Sequence, residues 1–339
     1  MTRPRPFLRR GLRLLLLLAT LLVAIAIDAL RVLRQPMLLD AEMTLSIEEG
    51  EPLATTVERL TTQGALPPWR GALYLRIYAR LMGLETRLKA GEYRIVPGLS
   101  PVQALDLFVS GKTVLHELRI IEGWTFRQAL AALRAHPQIR QTLGQADADA
   151  VMAAIGRAGV HPEGRLFPDT YRFARGTADV TLLRRAAEAM ERVLAQEWDM
   201  RAENLPYQHP DEALIMASIV EKETGVPEER AQIAGVFVRR LQLGMRLQTD
   251  PTVIYGLGEK FDGNLRLRDL RTDGDYNTYT RSGLPPTPIC LPGRAAIRAA
   301  LHPQPGKALF FVSRGDGTHV FSETLAEHEA AVRRYQLKQ

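Results

Sequence analysis

The strongest constraint on this chain sits in its first forty residues. Residues 14–27 are an uncharged apolar run of 14 residues behind a cluster of arginines. That run alone is too short for the roughly 20 residues a bilayer crossing needs. Extended over residues 12–33 it reaches about 33 Å at 1.5 Å per residue. Arg13, Asp28 and Arg31 then fall near its ends, where long side chains reach the headgroups. Residues 1–36 hold Arg3, Arg5, Arg9, Arg10, Arg13, Arg31 and Arg34 against the single acid Asp28, which is the whole of the chain's formal net charge of +6. The arginines predict a cytoplasmic N-terminus at residues 1–11, an anchor at 12–34 and export of everything beyond. The rival is a cleaved signal peptide, with Ala24-Ile25-Ala26 as its cleavage site. The apolar character resumes at Ala29, Leu30, Val32 and Leu33, which a cleavage region does not need. On either reading the body of the protein lies outside.

The body carries as many basic as acidic side chains, 37 of each. It therefore lacks the basic surplus of a phosphate binder, and nucleic acid is not an expected partner. One cysteine, Cys290, allows neither an intrachain disulfide nor a thiolate metal cluster. Other chemistries fail on inspection. Gly111-Lys112-Thr113 ends like a phosphate loop, but Asp106 stands where its first glycine is needed. Gly256-Leu257-Gly258 lacks the third glycine of a dinucleotide fingerprint, and H-E-x-x-H and G-x-S-x-G do not occur. His319 reads as a strand residue and His328 as a surface helix residue.

Three segments share one grammar. Ile47, Ile95 and Ile120 each stand three residues before a glycine (Gly50, Gly98, Gly123), as at a strand end. Apolar residues follow each glycine at +7 and +10, one helical face: Val57 and Leu60, Leu105 and Phe108, Leu130 and Leu133. Ser100 with Gln103, and Thr125 with Gln128, have capping-box form. Residues 73–84 predict another helix and 91–95 a strand. Together these suggest a compact α+β module over residues 40–125. Residues 127–135 and 179–201 read as helical. The stretch EGRLFPDTY at 163–171 reads as a loop into a strand. Its two acids, Glu163 and Asp169, suit either a polar ligand or ordinary turn chemistry.

Residues 211–224, DEALIMASIVEKET, are the most informative segment. His209-Pro210 stops what precedes, and Asp211 can cap the helix. On a helical wheel the segment is apolar nearly all round up to Val220, which means burial. Its last turn then presents Glu221, Lys222 and Glu223. The two glutamates point about 200° apart, so they are not a paired-carboxylate site. Met216, Ile219 and Val220 surround the direction of Glu223. A carboxyl emerging from an apolar face into a cleft acquires a raised pKa, as a general acid requires. A second helix starts at Pro227-Glu228-Glu229, with Ile233, Phe237 and Leu241 as its core face and Gly244 at its end. Gln248, Thr249, Asp250 and Thr252 then cluster beside Tyr255. Tyr276-Asn277-Thr278-Tyr279 and a proline-rich loop at 283–289 add rings, amides and hydroxyls of a kind that suits sugar. Strands at 309–312 and 319–321, joined through Gly315-Asp316-Gly317, close the chain, with Ser322 able to cap a final helix.

The segments EGRLFPDTY, ASIVEKET, VFVRRLQLGMRLQTDPTVIYG, YNTYTRSGLPPTPI and FFVSRGDGTHVFSETLAEH together resemble the MltG/YceG-like family of endolytic murein transglycosylases. The resemblance runs from about residue 40 to the C-terminus. It implies an α+β protein with an N-terminal transmembrane helix, a small LysM-like subdomain (40–125) and a larger mixed α/β catalytic domain (126–339). The implied reaction is cleavage of the β-1,4 bond between N-acetylmuramic acid and N-acetylglucosamine in nascent peptidoglycan, leaving 1,6-anhydro ends, without cofactor or metal. The implied catalytic acid is the second glutamate of E-K-E-T, Glu223. Glu221, Arg230, Arg240, Gln248, Asp250, Tyr255, Asn277 and Tyr279 are candidates for positioning sugar and acid. The implied partners are glycan strands, inner-membrane lipid and peptidoglycan synthases. Thr287 and Cys290-Leu291 depart from the family's usual loop, which bears on sugar contact there and not on the reaction. The alternative is a non-catalytic cell-wall binder, and a cytosolic pyridoxal-phosphate lyase would need a Schiff-base lysine and no export segment.

Overall fold

The computed structural model describes residues 6–337, so Arg3 and Arg5 of the basic cluster lie outside it. Helix α1 (Pro6–Arg34) runs without a break through Ala24, Ile25 and Ala26. Its stretch Gly11–Arg34 is long and apolar enough to cross a membrane, and its leucines from Leu12 to Leu30 are exposed. It fits a single-pass anchor. Among the described side chains of α1, the buried ones are Val32 and Leu33 of its last turn.

Contacts divide the chain into two compact units. The first comprises the residues up to His116 together with Ala174–Gly176, and the second comprises Glu117–Phe173 and the rest. In the first unit, β1 (Met43–Ile47), α2 (Leu53–Thr62), α3 (Arg70–Leu81) and β2 (Gly91–Ile95) form a β–α–α–β arrangement, and α4 (Pro101–Ser110) follows. The strands pair antiparallel, from Met43 opposite Ile95 to Ile47 opposite Gly91. Leu45, Leu60, Tyr93, Ile95, Leu105 and Phe108 build the core, with Tyr93 edge-on to Phe108 at 5.0 Å. The capping box of Ser100 and Gln103 starts α4 as its sequence predicts.

The third strand–glycine–helix segment also forms, as β3 (Leu115–Arg119) and α5 (Phe126–Ala135), with the Thr125–Gln128 capping box in place. It does not share the first unit's core. Leu130 and Leu133 pack in the second unit with Val151 of α6 (Ala148–Ala154), Tyr171 and Phe173 of β4 (Thr170–Ala174), and Leu182 of α7 (Asp179–Asp199). The repeat grammar is local. It fixes how each helix begins and says nothing about what that helix packs against.

The larger core of the second unit is built around α8 (Pro210–Glu223). Ala213, Leu214, Ile215, Met216, Ala217, Ser218, Ile219 and Val220 are all buried, as an all-round apolar helix demands. Helices α7, α9 (Arg230–Gln242), α10 (Asp250–Leu257) and α12 (Arg294–Leu301) enclose it. A short α11 (Leu267–Arg271) precedes the YNTYT loop. The hairpin β5 (Phe310–Ser313) and β6 (His319–Ser322) leads into α13 (Leu325–Tyr335).

Three local expectations are corrected. Asp211 is not the cap of α8. His209 holds that position, Pro210 takes the first turn, and Asp211 forms a two-pronged pair with Arg165 at 2.8 and 2.7 Å. Ser322 ends β6, and the cap of α13 is Thr324, in a capping box with Glu327. His328 is half-buried and stacked on Phe310 at 5.2 Å, not a surface residue.

The buried polar atom in α8 ties the helix to the proline loop. Ser218 Oγ donates to Ile215 O at 2.7 Å and accepts from Ile289 N at 2.9 Å. Cys290 Sγ lies 3.3 Å from Ser218 O, buried, with its thiol pKa pushed well up by desolvation, so it is an inert packing residue. Ser218→Ala would strand the Ile289 amide in the core. It is expected to cost about 1–3 kcal/mol in urea unfolding, the penalty of an unsatisfied buried donor.

Candidate functional site

The last turn of α8 leaves the core at Glu221, and the three residues there go to different surroundings. Glu221 Oε2 accepts from Gly293 N at 2.9 Å, and its other oxygen is 3.9 Å from Arg230. Burial raises its pKa. Lys222 is exposed, with Nζ 3.4 Å from Gly123 O. Glu223 points the other way, into a cleft of about 490 Å³ bordered by α9, α10, the 310–322 hairpin and α13.

Glu223 keeps partial access to water through that cleft. Its pKa is nevertheless raised to about 7, chiefly because the surrounding protein desolvates the carboxylate. The negative charge of Asp250 raises it further, while a hydrogen bond from Thr249 Oγ1 and the nearby His319 pull it down. Thr249 is held in turn. Its amide donates to Thr278 Oγ1 at 3.0 Å, and Thr278 Oγ1 lies 2.9 Å from Thr252 Oγ1. Two polar segments separated in sequence thus grip each other behind the acid. Gln248, just before Thr249, sits at φ +53°. A non-glycine residue in that region is uncommon and gathers at functional sites.

Four of the eight expected positioning residues share the cleft with Glu223: Arg240, Gln248, Asp250 and Tyr279. Tyr279 donates its hydroxyl to Asp250 Oδ1 at 2.5 Å, and both burial and that carboxylate raise its pKa. Arg240 is buried. It donates to Leu309 O at 2.6 Å and Leu247 O at 2.8 Å and lies over the Phe310 ring, so it braces the cleft wall.

The other four lie elsewhere, for physical reasons. Glu221 and Arg230 are engaged with Gly293 and with each other. Asn277 is buried, and its amide nitrogen is spent on the carbonyls of Asp269, Leu270 and Thr272, so it shapes the loop and offers nothing to a ligand. Tyr255 donates to Glu163 Oε2 at 3.1 Å, beside a different cavity of about 680 Å³. Glu163 is only 4% exposed, also accepts from Phe126 N at 2.8 Å, and is raised by burial to about 7. The next residue, Gly164, has φ +79°, and a Cβ there would meet Pro288 at 2.6 Å. Of the two acids in EGRLFPDTY, then, Glu163 faces a cavity, whereas Asp169 is exposed and accepts from its neighbour Thr170 N at 2.7 Å.

Sequence reasoning missed part of the site. Thr249 stood out as one hydroxyl among several, without its contact to Glu223. Glu229 looked like a helix-start acid, yet it takes both the ring and the amide of His319, at 2.7 and 2.9 Å, and pins the hairpin beside the cleft. Ninety residues separate these partners, and no local pattern announces the pair. Among the described residues no group of His, Cys, Asp or Glu side chains is placed to hold a metal ion.

The YceG-like family matches residues 45–334. The chain belongs to that family. An endolytic murein transglycosylase of Bacillus subtilis is 29% identical over 324 residues, covering 89% of this chain and 88% of the relative. One from Streptococcus pneumoniae is also 29% identical, over 330 residues, and there the chain spans 58% of the relative's length. In three dimensions the chain is similar to a YceG-like protein of Listeria monocytogenes, with a TM-score of 0.56 and 30% identity over 86% of this chain and 99% of that one. The likeness reinforces the mixed α+β fold of this YceG-like chain.

A carboxyl raised from 4.5 to about 7 has a consequence for stability. The folded state holds the Glu223 proton more tightly than the unfolded chain. Its contribution is therefore complete below about pH 4.5 and is lost as pH rises through 7. Glu223→Gln, which never ionises, is expected to be more stable than the parent at pH 8 by on the order of 1–3 kcal/mol. The two should be nearly equal at pH 4.5, measured by denaturant unfolding at each pH.

Proposed function

We propose that this protein is an endolytic lytic transglycosylase of peptidoglycan, with Glu223 as its catalytic acid and base. The observation that carries the reading is a single carboxyl at the end of a buried helix, facing a cleft, with its pKa raised by desolvation to about 7. The names of the relatives supply the substrate class.

Protonated Glu223 donates to the glycosidic oxygen between N-acetylmuramic acid and N-acetylglucosamine as the bond breaks through an oxocarbenium-like state. The resulting carboxylate takes the proton from the muramoyl C6 hydroxyl, whose oxygen attacks C1 and closes a 1,6-anhydro ring. The acid is regenerated and no water is consumed. The attack is intramolecular, so proximity does much of the work and no second carboxylate has to activate water. Asp250 serves differently. Its charge favours the proton on Glu223 before reaction, and Tyr279 holds it in place. Thr249 steadies the carboxylate that forms. Gln248 is the proposed further contact with the sugar, Arg240 braces the wall behind it, and Glu221, Arg230, Tyr255 and Asn277 support the loops around them.

The same reading makes α1 an anchor in the plasma (inner) membrane, with the N-terminus cytoplasmic and the catalytic unit outside, where nascent strands and their synthases are found. The β–α–α–β order of the first unit suits the LysM-like role in glycan binding.

Two measurements test the mechanism. Glu223→Gln is expected to lower release of anhydro-muropeptides from purified glycan strands by at least about 10²-fold. Products of the parent should be one water lighter than hydrolysis products by mass spectrometry. Unchanged release would remove the assignment of the chemistry to Glu223, and absence of release by the parent would leave a non-catalytic binder. Secondly, kcat/KM should fall as pH rises through about 7, where the free acid loses its proton. Asp250→Asn, by removing a charge that holds the proton on, should move that falling limb to lower pH.

A further inference from the structure

Helix α3 carries two apolar stripes on opposite sides. Gly71, Leu75 and Ala79 face the first unit's core. Leu73, Ile77 and Leu81, each four residues from the next, are displaced from them by about half a turn. Trp69 precedes them at the same spacing. All four are exposed, Trp69 at 73%, Ile77 at 48% and Leu81 at 80%, and Met82 beside them at 57%. Trp69 sits at φ +46° in the tight turn that enters α3, where Arg70 N donates to Pro68 O at 2.6 Å. Arg70 and Arg80 sit at the two ends of the stripe.

The same helix is tied to α1. Tyr74 donates to Asp28 Oδ2 at 3.0 Å, and Arg70 Nη1 lies 3.4 Å from Asp28 Oδ1. Asp28 lies inside the apolar span, not beyond it. Counted from Leu14 it is about 21 Å along the helix axis, and a hydrocarbon core is about 30 Å thick. The start of α3 is thus fastened to α1 at a depth several ångströms short of the far boundary. This is the depth at which an interfacial amphipathic helix buries its apolar face, about 5–10 Å in. Tryptophan and arginine are the residues that settle at that level.

We propose that the Trp69–Leu73–Ile77–Leu81 face of α3 lies in the outer headgroup region of the same bilayer that α1 spans, making the first unit a monotopic membrane domain. The proposal rests on α1 being a retained anchor. It gives the first unit a second attachment to the membrane beside α1, and so fixes its height and tilt above the lipid.

The test uses the full-length protein reconstituted in phosphatidylglycerol-containing vesicles, with or without acyl chains brominated near the headgroup. The emission component that disappears in Trp69→Phe is followed. Bromine is expected to quench that component about two-fold or more, while iodide on both sides leaves it unquenched. Leu73→Asp combined with Ile77→Asp, both at exposed positions, should abolish the bromine effect without changing thermal unfolding or glycan cleavage in detergent. A component reached by iodide and not by bromine overturns the proposal. One reached by neither overturns it too, since another copy of the protein then covers the stripe. Failure of the protein to float with the vesicles would remove the anchor reading and this proposal together, and would leave the assignment of Glu223 untouched.

Discussion

The second unit depends on keeping one helix out of water. Helix α8 has no polar face from Ala213 to Val220, so it is stable only when other helices wrap it. The large apolar area removed from water there is the main favourable contribution to that unit. The chemistry is a by-product of the same burial. Where the wrapping ends, at the mouth of the cleft, the helix delivers a carboxylate into surroundings too poor in water to ionise it at the usual pH. One structural fact, the depth of α8, therefore accounts both for the unit's core and for the state of its acid.

Burial raises the pKa of three carboxyls in this unit, and what each one faces separates them. Glu221 meets a backbone amide and, more distantly, a guanidinium, and both favour its anion. Glu163 meets an amide and a phenol beside a cavity. Glu223 meets one hydroxyl and a neighbouring negative charge. Only the last combines an open cleft, a nearby carboxylate that favours the proton and a hydroxyl ready to stabilise the anion once the proton has gone. A raised pKa alone would have nominated all three, and geometry chooses among them.

Much of this was legible in the residues themselves. The pattern of residues 213–220 announced a buried helix because burial on every side leaves no polar stripe. The capping boxes at Ser100 and Thr125 announced helix starts because their hydrogen bonds close within four residues. What stayed hidden depends on long-range pairing. The grip of Thr249 on Glu223 spans 26 residues and that of His319 on Glu229 spans 90. The same holds for the third strand–glycine–helix segment, whose local grammar matches the first two while its apolar face joins another core. Asn277 shows the converse error. Its composition suited a sugar, but its donors were already committed to the turn that holds its own loop.

Those hidden pairs explain how a cleft built partly from loops can hold an acid at a fixed position. Loops carrying Gln248, Thr249 and Asp250 would wander if only their own sequence held them. Thr278 reaches across to the Thr249 amide and hydroxyl network, Asn277 clamps the loop that presents Thr278, and the Glu229–His319 contact holds the hairpin that forms the opposite wall. None of these groups needs to touch a substrate. Each removes freedom that would otherwise have to be surrendered when a substrate binds, so the cost of ordering the cleft is met during folding. On the proposed reading, a substrate entering it meets an acid already oriented, with its pKa raised to about 7. The functional site is thus better described by the side chains that hold its loops than by the few that face the opening.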